Sequence, residues 1–179
     1  ALEQGKNVIT SNKDLMALHG TEILFAAAEH GCDVLYEASV AGGIPIIRTL
    51  NEGFSSDRIT KMMGIVNGTT NYILTKMSQE GSTYTEALAE AQQLGYAETD
   101  PTFDVEGIDA AHKLTILASL AFGIELQFDK TFTEGISKIT REDVTYAEEL
   151  GYRIKHLGIA RKSAKGIEMR VHPTLIPER

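Results

Sequence analysis

The sequence predicts an α/β protein in two parts: a piece of parallel sheet, then an α+β region with helices packed on a mixed sheet. Residues 1 to 38 alternate strand-like and helix-like segments, which is the grammar of a parallel sheet. Composition then breaks at EASVAGGIPI, where Gly42 and Gly43 precede Pro45. Beyond the break, stretches with helical spacing sit among short alternating runs. The expected domains are residues 1–38 and 39–179.

Each element follows from local signals. Gly5 closes a helix end, NVIT at residues 7–10 reads as a strand, and residues 14–30 read as a helix stopped by Gly31. DVLYEA at 33–38 is the next strand. Pro45 suits the first turn of a helix that ends by Gly53. In DRITKMMGIV, residues 57–66, alternation puts Ile59, Lys61, Met63 and Ile65 on one face of a half-buried strand. A helix over 69–80 ends at Gly81, and Thr83 with Glu86 forms a capping-box pattern for a helix that stops at Gly95. The acidic segment after it reads as a loop. Ile108, Ala111, Leu114, Thr115, Ala118 and Phe122 make an apolar stripe on a helix over 108–122. ITREDVTYAEELG predicts another short helix, and residues 153–161 and 167–172 predict two strands joined by KSAKG.

Composition excludes several functions. A 179-residue chain with 42% hydrophobic residues can bury a real core. A net charge of -8 and a pI near 5.1 give no general attraction to phosphate backbones, so nucleic acid is not an expected partner. No apolar run approaches the ~20 residues of a membrane helix, so no membrane is expected either. The single cysteine, Cys32, rules out an internal disulfide framework and fits a reducing cytoplasm. It reads as a small buried residue rather than a nucleophile, because no base accompanies it. The chain opens on Ala1 partway through an alternation and is expected to be part of a longer unit.

The chemistry concentrates in GYAETDPTFDVEGIDAAHK, residues 95–113, where Glu98, Asp100, Asp104, Glu106 and Asp109 precede Lys113. Taken alone, Asp109 and Lys113 have the spacing of a surface ion pair worth ~0.3–0.5 kcal/mol. Asp104 or Glu106 would then charge a helix start, and Glu98 would be a solvated loop charge. An EF-hand is excluded, since Val105 stands where the turn glycine belongs. Carboxylates on a fixed loop also suit a ligand carrying an ammonium group, leaving the lysine for another part of it.

A resemblance raises the last of these above the others. Ala91, three residues, Gly95-Tyr96-Ala97, two residues, Asp100-Pro101, two residues, Asp104-Val105, one residue, Gly107, one residue, Asp109, three residues and Lys113 together resemble the signature of the homoserine dehydrogenase family. TSNKD at 10–14, YEASVAGGIPII at 36–47, GIVNGTTNYIL at 64–74 and HPTLIP at 172–177 extend the resemblance over nearly the whole chain.

The resemblance implies NAD(P)-dependent interconversion of L-homoserine and L-aspartate 4-semialdehyde in the cytoplasm, on the route to threonine and methionine. It implies a remnant of a Rossmann NAD(P)-binding domain in 1–38, then a substrate domain that forms a homodimer. Lys113 matches the proton donor, and Asp109 one turn earlier would orient it. Glu98 matches the residue that holds the substrate amino group, with Asp104 in support and Tyr96 as a weaker substrate-side candidate. Lys13 matches a lysine at the cofactor and the reacting carbons, and Gly95 a position where backbone approaches the nicotinamide side. Glu37, Val40, Gly42 and Ile44 match a monovalent-cation (sodium) site of one carboxylate and three carbonyls, although two glycines also make an ordinary tight turn. His112, about 100° round the helix from Lys113, reads as structural. No two glycines stand two apart, so the G-x-G-x-x-G phosphate loop is absent from this sequence. The chain alone is therefore expected to bind NAD(P) weakly and turn over little. A non-catalytic dimerising or amino-acid-binding module stays open as the alternative.

Overall fold

The structure is a computed structural model that describes residues 1–178. The chain divides into two compact units: Ala1–Met62 with His112–Thr131 and Ala160–Met169, and Met63–Ala111 with Phe132–Ile159 and the segment from Arg170 on.

In the first unit, β1 (Val8–Ile9) pairs in parallel with β2 (Val34–Leu35), Val8 opposite Val34 and Ile9 opposite Leu35. Helix α1 (Lys13–Glu29) makes the crossover, as the alternation predicted. Asn12 caps it by accepting the Leu15 N–H at 3.0 Å, and Gly31 beyond its end adopts φ +62°. β2 is shorter than DVLYEA because the chain turns into a 3-10 helix at Glu37–Ser39. Helix α2 (Ile46–Arg48) then widens into a π turn over Thr49–Gly53. Met16, Ala17, Val40, Ile47 and Ile116 form the core. Gly20 is buried against Leu126, and a Cβ there would collide with a Leu126 methyl.

In the second unit, α3 (Gly68–Glu80) lies against α4 (Tyr84–Gln93). Lys76 bridges them with Nζ 2.7 Å from Glu80 and 2.9 Å from Glu90, and the Tyr72 hydroxyl donates to Glu90 at 2.8 Å. These hydrogen bonds to two carboxylates raise the Lys76 pKa. Below them Ile73, Leu74, Met77, Ala87, Ala91, Val105, Ile136 and Val144 pack as the core. The Thr83–Glu86 capping box is formed, and a second one, Thr140 with Asp143, starts α7 (Arg141–Glu149).

A four-stranded sheet has the order β3 (Lys61–Gly64), β5 (Tyr152–Ser163), β6 (Gly166–Pro177), β4 (Phe132–Thr133). Strand β3 (Lys61–Gly64) is a short part of the strand expected over 57–66; Lys61 and Met63 share its exposed face, and Met62 on the other is half-buried. Strands β5 (Tyr152–Ser163) and β6 (Gly166–Pro177) are longer than expected, so the turn shrinks to Ala164-Lys165 and the pair is an antiparallel hairpin. β4 (Phe132–Thr133), which the sequence analysis lacks, pairs in parallel with β6, making the sheet mixed. The Val171 carbonyl accepts from Glu134 N at 2.8 Å, so residue 173 also points to the β4 side, past the end of that ladder. Pro173 therefore lacks a donor only where none is needed. The acidic segment is not wholly a loop: it contains α5 (Thr102–Val105). Helix α6 (Ile108–Phe122) follows, and Ala110, Ala111, His112, Leu114, Thr115, Ile116 and Ala118 are all buried, a wider belt than the predicted stripe.

Candidate active site

Three backbone devices shape the acidic segment. Gly95, φ +77°, ends α4, where the Tyr96 N–H bonds back to the Ala91 carbonyl at 2.8 Å. Asp100 accepts the Thr102 N–H at 3.1 Å, and the Thr102 hydroxyl followed by that N–H holds its carboxyl below the usual range. Gly107, φ +82°, lies against His156, where an added Cβ would stand 3.0 Å from the ring. His156 is buried, its Nε2–H donates to the Glu134 carbonyl at 2.9 Å, and burial pushes its pKa down. The strand side and the acidic turn are thus fixed to each other, with Ile136 N donating to the Val105 carbonyl at 2.8 Å.

On this frame Asp104 and Asp109 come together. Asn67, the N-cap of α3, donates through Nδ2 to Asp104 Oδ1 at 2.7 Å and to Asp109 Oδ2 at 2.9 Å. Asp109 is only 5% exposed, so it is not the solvated surface charge that its spacing alone allows. The Thr69 hydroxyl lies 2.8 Å from the Tyr96 carbonyl and 3.1 Å from Asp104 Oδ2. The Tyr96 ring is half in solvent and tilts against Tyr72, centroids 5.0 Å apart. Glu98 is exposed; its carbonyl accepts from Gln92 Nε2 at 3.0 Å, and among the described residues nothing occupies its carboxylate. Lys113 is half-buried on α6, one turn after Asp109.

In the first unit Lys13 opens α1, with Nζ 3.7 Å from Asp14 Oδ1. The same Asp14 oxygen lies 2.8 Å from Nδ1 of the buried His112, whose ring meets the edge of Phe128 at 4.3 Å. The structural role read for His112 holds: it ties the start of α1 to α6 through Asp14.

The expected cation residues share one tight bend. Glu37 accepts the Ile47 and Arg48 N–H groups, each at 2.8 Å, which caps α2. Ala41 at φ +60° and Gly42 at φ +56° reverse the chain between Val40 and Ile44. Each Glu37 oxygen keeps a second lone pair, an oxygen donor of the kind a hard monovalent cation takes. Among the described residues no cluster of three or more His, Cys, Asp or Glu could hold a metal, and no helix is long and apolar enough to cross a membrane.

Asn67, Thr69 and Asp14 were not singled out by sequence reasoning. Asn67 reads only as part of the GIVNGTTNYIL stretch, with no role of its own, because its partners lie 37 and 42 residues away.

The family profile described as homoserine dehydrogenase matches residues 45–179. The homoserine dehydrogenase of Pseudomonas aeruginosa is 64% identical over 177 residues and that of Bacillus subtilis 59% over 178; each alignment covers 99% of this chain and 41% of the relative. The chain therefore spans about 41% of the length of these curated relatives. A homoserine dehydrogenase structure from Thiobacillus denitrificans superposes with TM-score 0.98 at 62% identity, covering 99% of this chain and 41% of that one. A hyperthermophilic archaeal homoserine dehydrogenase in complex with NADPH superposes with TM-score 0.81 at 32% identity, covering 98% of this chain and 50% of that one. With a profile matched over most of its length and relatives this similar, the chain belongs to the homoserine dehydrogenase family.

Proposed function

We propose that this chain supplies the substrate-binding and proton-handling part of a cytoplasmic NAD(P)-dependent homoserine dehydrogenase, acting on L-homoserine and L-aspartate 4-semialdehyde. The observation that carries the reading is the built acidic turn: two carboxylates clamped by one amide, an unoccupied Glu98 carboxylate, and Lys113 one helical turn on. Residues 1–38 belong to the dinucleotide-binding part and 39–179 to the substrate part, a division supported by a family match that begins at residue 45.

Glu98 takes the substrate ammonium as a charge-assisted acceptor, with Asp104 and Tyr96 beside that role. Lys113 Nζ donates a proton to the carbonyl oxygen as negative charge develops there, and takes it back from the hydroxyl in the reverse direction. Asp109 orients Lys113. NAD(P) would supply or accept the hydride, and Lys13 and Gly95 fit its reacting end: a cation at a helix start, and an exposed glycine where an added Cβ meets nothing within 4 Å. The phosphate-cradling glycine motif is not among these residues. Glu37 with the Val40, Gly42 and Ile44 carbonyls would hold sodium. The reading includes a homodimer, supported by apolar Met63 and Phe132, each 58% exposed on the edge strands β3 and β4.

Calorimetric titration of the chain with L-homoserine, with and without sodium, tests this. Glu98→Ala should abolish binding, and Lys113→Ala should alter it; in a full-length enzyme carrying the chain, Lys113→Ala should lower kcat by about 10²–10⁴-fold. NADPH should bind the chain alone weakly. Binding that is indifferent to Glu98→Ala and Lys113→Ala would refute the assignment.

A further inference from the structure

Asn67 is 6% exposed, and all of its side-chain polar capacity for donation is used. Its Oδ1 accepts the Thr70 N–H at 2.9 Å and caps α3. Its Nδ2 carries two protons; one goes to Asp104 Oδ1 and the other to Asp109 Oδ2. Two carboxylates gathered round one nitrogen repel each other, and a pair without a donor between them tends to share a proton. An amide separates them without adding charge. A lysine there would neutralise the acids, and an aspartate would add a third anion.

Thr69 completes the frame. Its one hydroxyl proton can serve the Tyr96 carbonyl or Asp104 Oδ2, not both at once. Asp104 Oδ2 therefore accepts at most one proton from Thr69 and keeps a lone pair open as an acceptor whichever way the hydroxyl turns.

We propose that Asn67 is a positioning residue for substrate recognition: it holds Asp104 and Asp109 as a fixed pair, so that the open lone pair of Asp104 Oδ2 can receive a proton of the substrate ammonium. The inference rests on the substrate reading above, and it adds a residue to that reading.

The test is calorimetric titration of the chain with L-homoserine at about pH 8 and about pH 5, with thermal unfolding measured alongside, for Asn67→Asp, Asn67→Ser and Glu98→Gln. Each variant is compared with the unsubstituted chain at the same pH, which removes the titration of Glu98, Asp100, Glu106 and His156 from the comparison. Asn67→Asp keeps the cap but turns the donor into an anion, so its affinity should fall about tenfold or more at the higher pH. Much of that loss should be regained at the lower pH, where the introduced carboxyl takes up a proton and becomes a donor. Asn67→Ser keeps a capping oxygen and loses the bridge, so it should bind about tenfold more weakly at both pH values with little change in unfolding temperature. If Asn67→Asp does not fold, Asn67→Ser carries the test. Unchanged affinity in the folded Asn67 variants, with binding abolished in Glu98→Gln, overturns the role of Asn67 and leaves the substrate reading standing. An unfolding shift without a loss of affinity overturns it too. No binding by the unsubstituted chain, or no effect of Glu98→Gln, overturns the substrate reading and the inference with it.

Discussion

Burial, with a smaller push from neighbouring His172, holds the His156 imidazole below its usual range, while its Nε2–H stays committed to the Glu134 carbonyl. Unfolding returns the ring to an ordinary pKa near ~6.5, so the unfolded chain binds more protons between the two values. The stability contributed by neutral His156 is thus complete above about pH 6.5 and is lost as pH falls through its folded value. Glu86, Glu90, Asp100 and Asp143 have depressed pKa values instead, and their contribution is lost only below their ordinary values of 4.5 for Glu and 3.8 for Asp. Urea unfolding between about pH 6.5 and pH 5 should therefore show a decline that His156→Gln, which can still donate to Glu134, largely removes. An equal decline in both proteins would assign it elsewhere. Single residues also show where sequence reading stops. Glu98, Asp104, Asp109 and Lys113 stand out as candidates because their spacing is local, whereas the amide that joins two of them is 37 and 42 residues upstream, at a position that looks like an ordinary helix cap.

Local signals served best for helices with strong caps. The Thr83–Glu86 box and Gly95 bracket α4 as predicted, because both signals act within a few residues of the helix they delimit. Thr83→Ala should cost about 1 kcal/mol in urea unfolding, and Thr83→Ser should restore most of it. Elements that depend on distant partners were illegible. β4 has two residues and exists because Phe132 and Thr133 meet Arg170 and Val171. α5 has four residues, too few for a helical period to appear. The turn that carries it depends on Gly135, where an added Cβ would press on the Val105 carbonyl and stand 2.5 Å from Glu106 Cα. Both obstacles are backbone. Gly135→Ala should therefore destabilise by about 1–3 kcal/mol or more, exceeding Thr83→Ala in the same assay, since overpacking here cannot be relieved by a side-chain rotation.

Across the whole molecule, the first unit carries apolar surface out of proportion to its small sheet: Ile9 is 82% exposed, Phe25 65% and Leu35 57%. Parallel sheets ordinarily bury both faces, and exposed patches of this kind promote association. Sedimentation velocity on the chain should find self-association, and Ile9→Lys with Phe25→Lys should shift it toward smaller species; an unchanged distribution would direct attention to β3 and β4 instead. The strand order has a further consequence, in time rather than in space. The β5–β6 hairpin closes through two residues, an event of about 1–10 μs, whereas β3 must find a partner across the chain, with Thr60 accepting from Lys162 N at 2.9 Å. That contact closes a long loop and pays its entropy late. The earlier-synthesised β3 waits for β5, so nascent chains that have not yet emerged past residue 163 hold β3 without its partner strand.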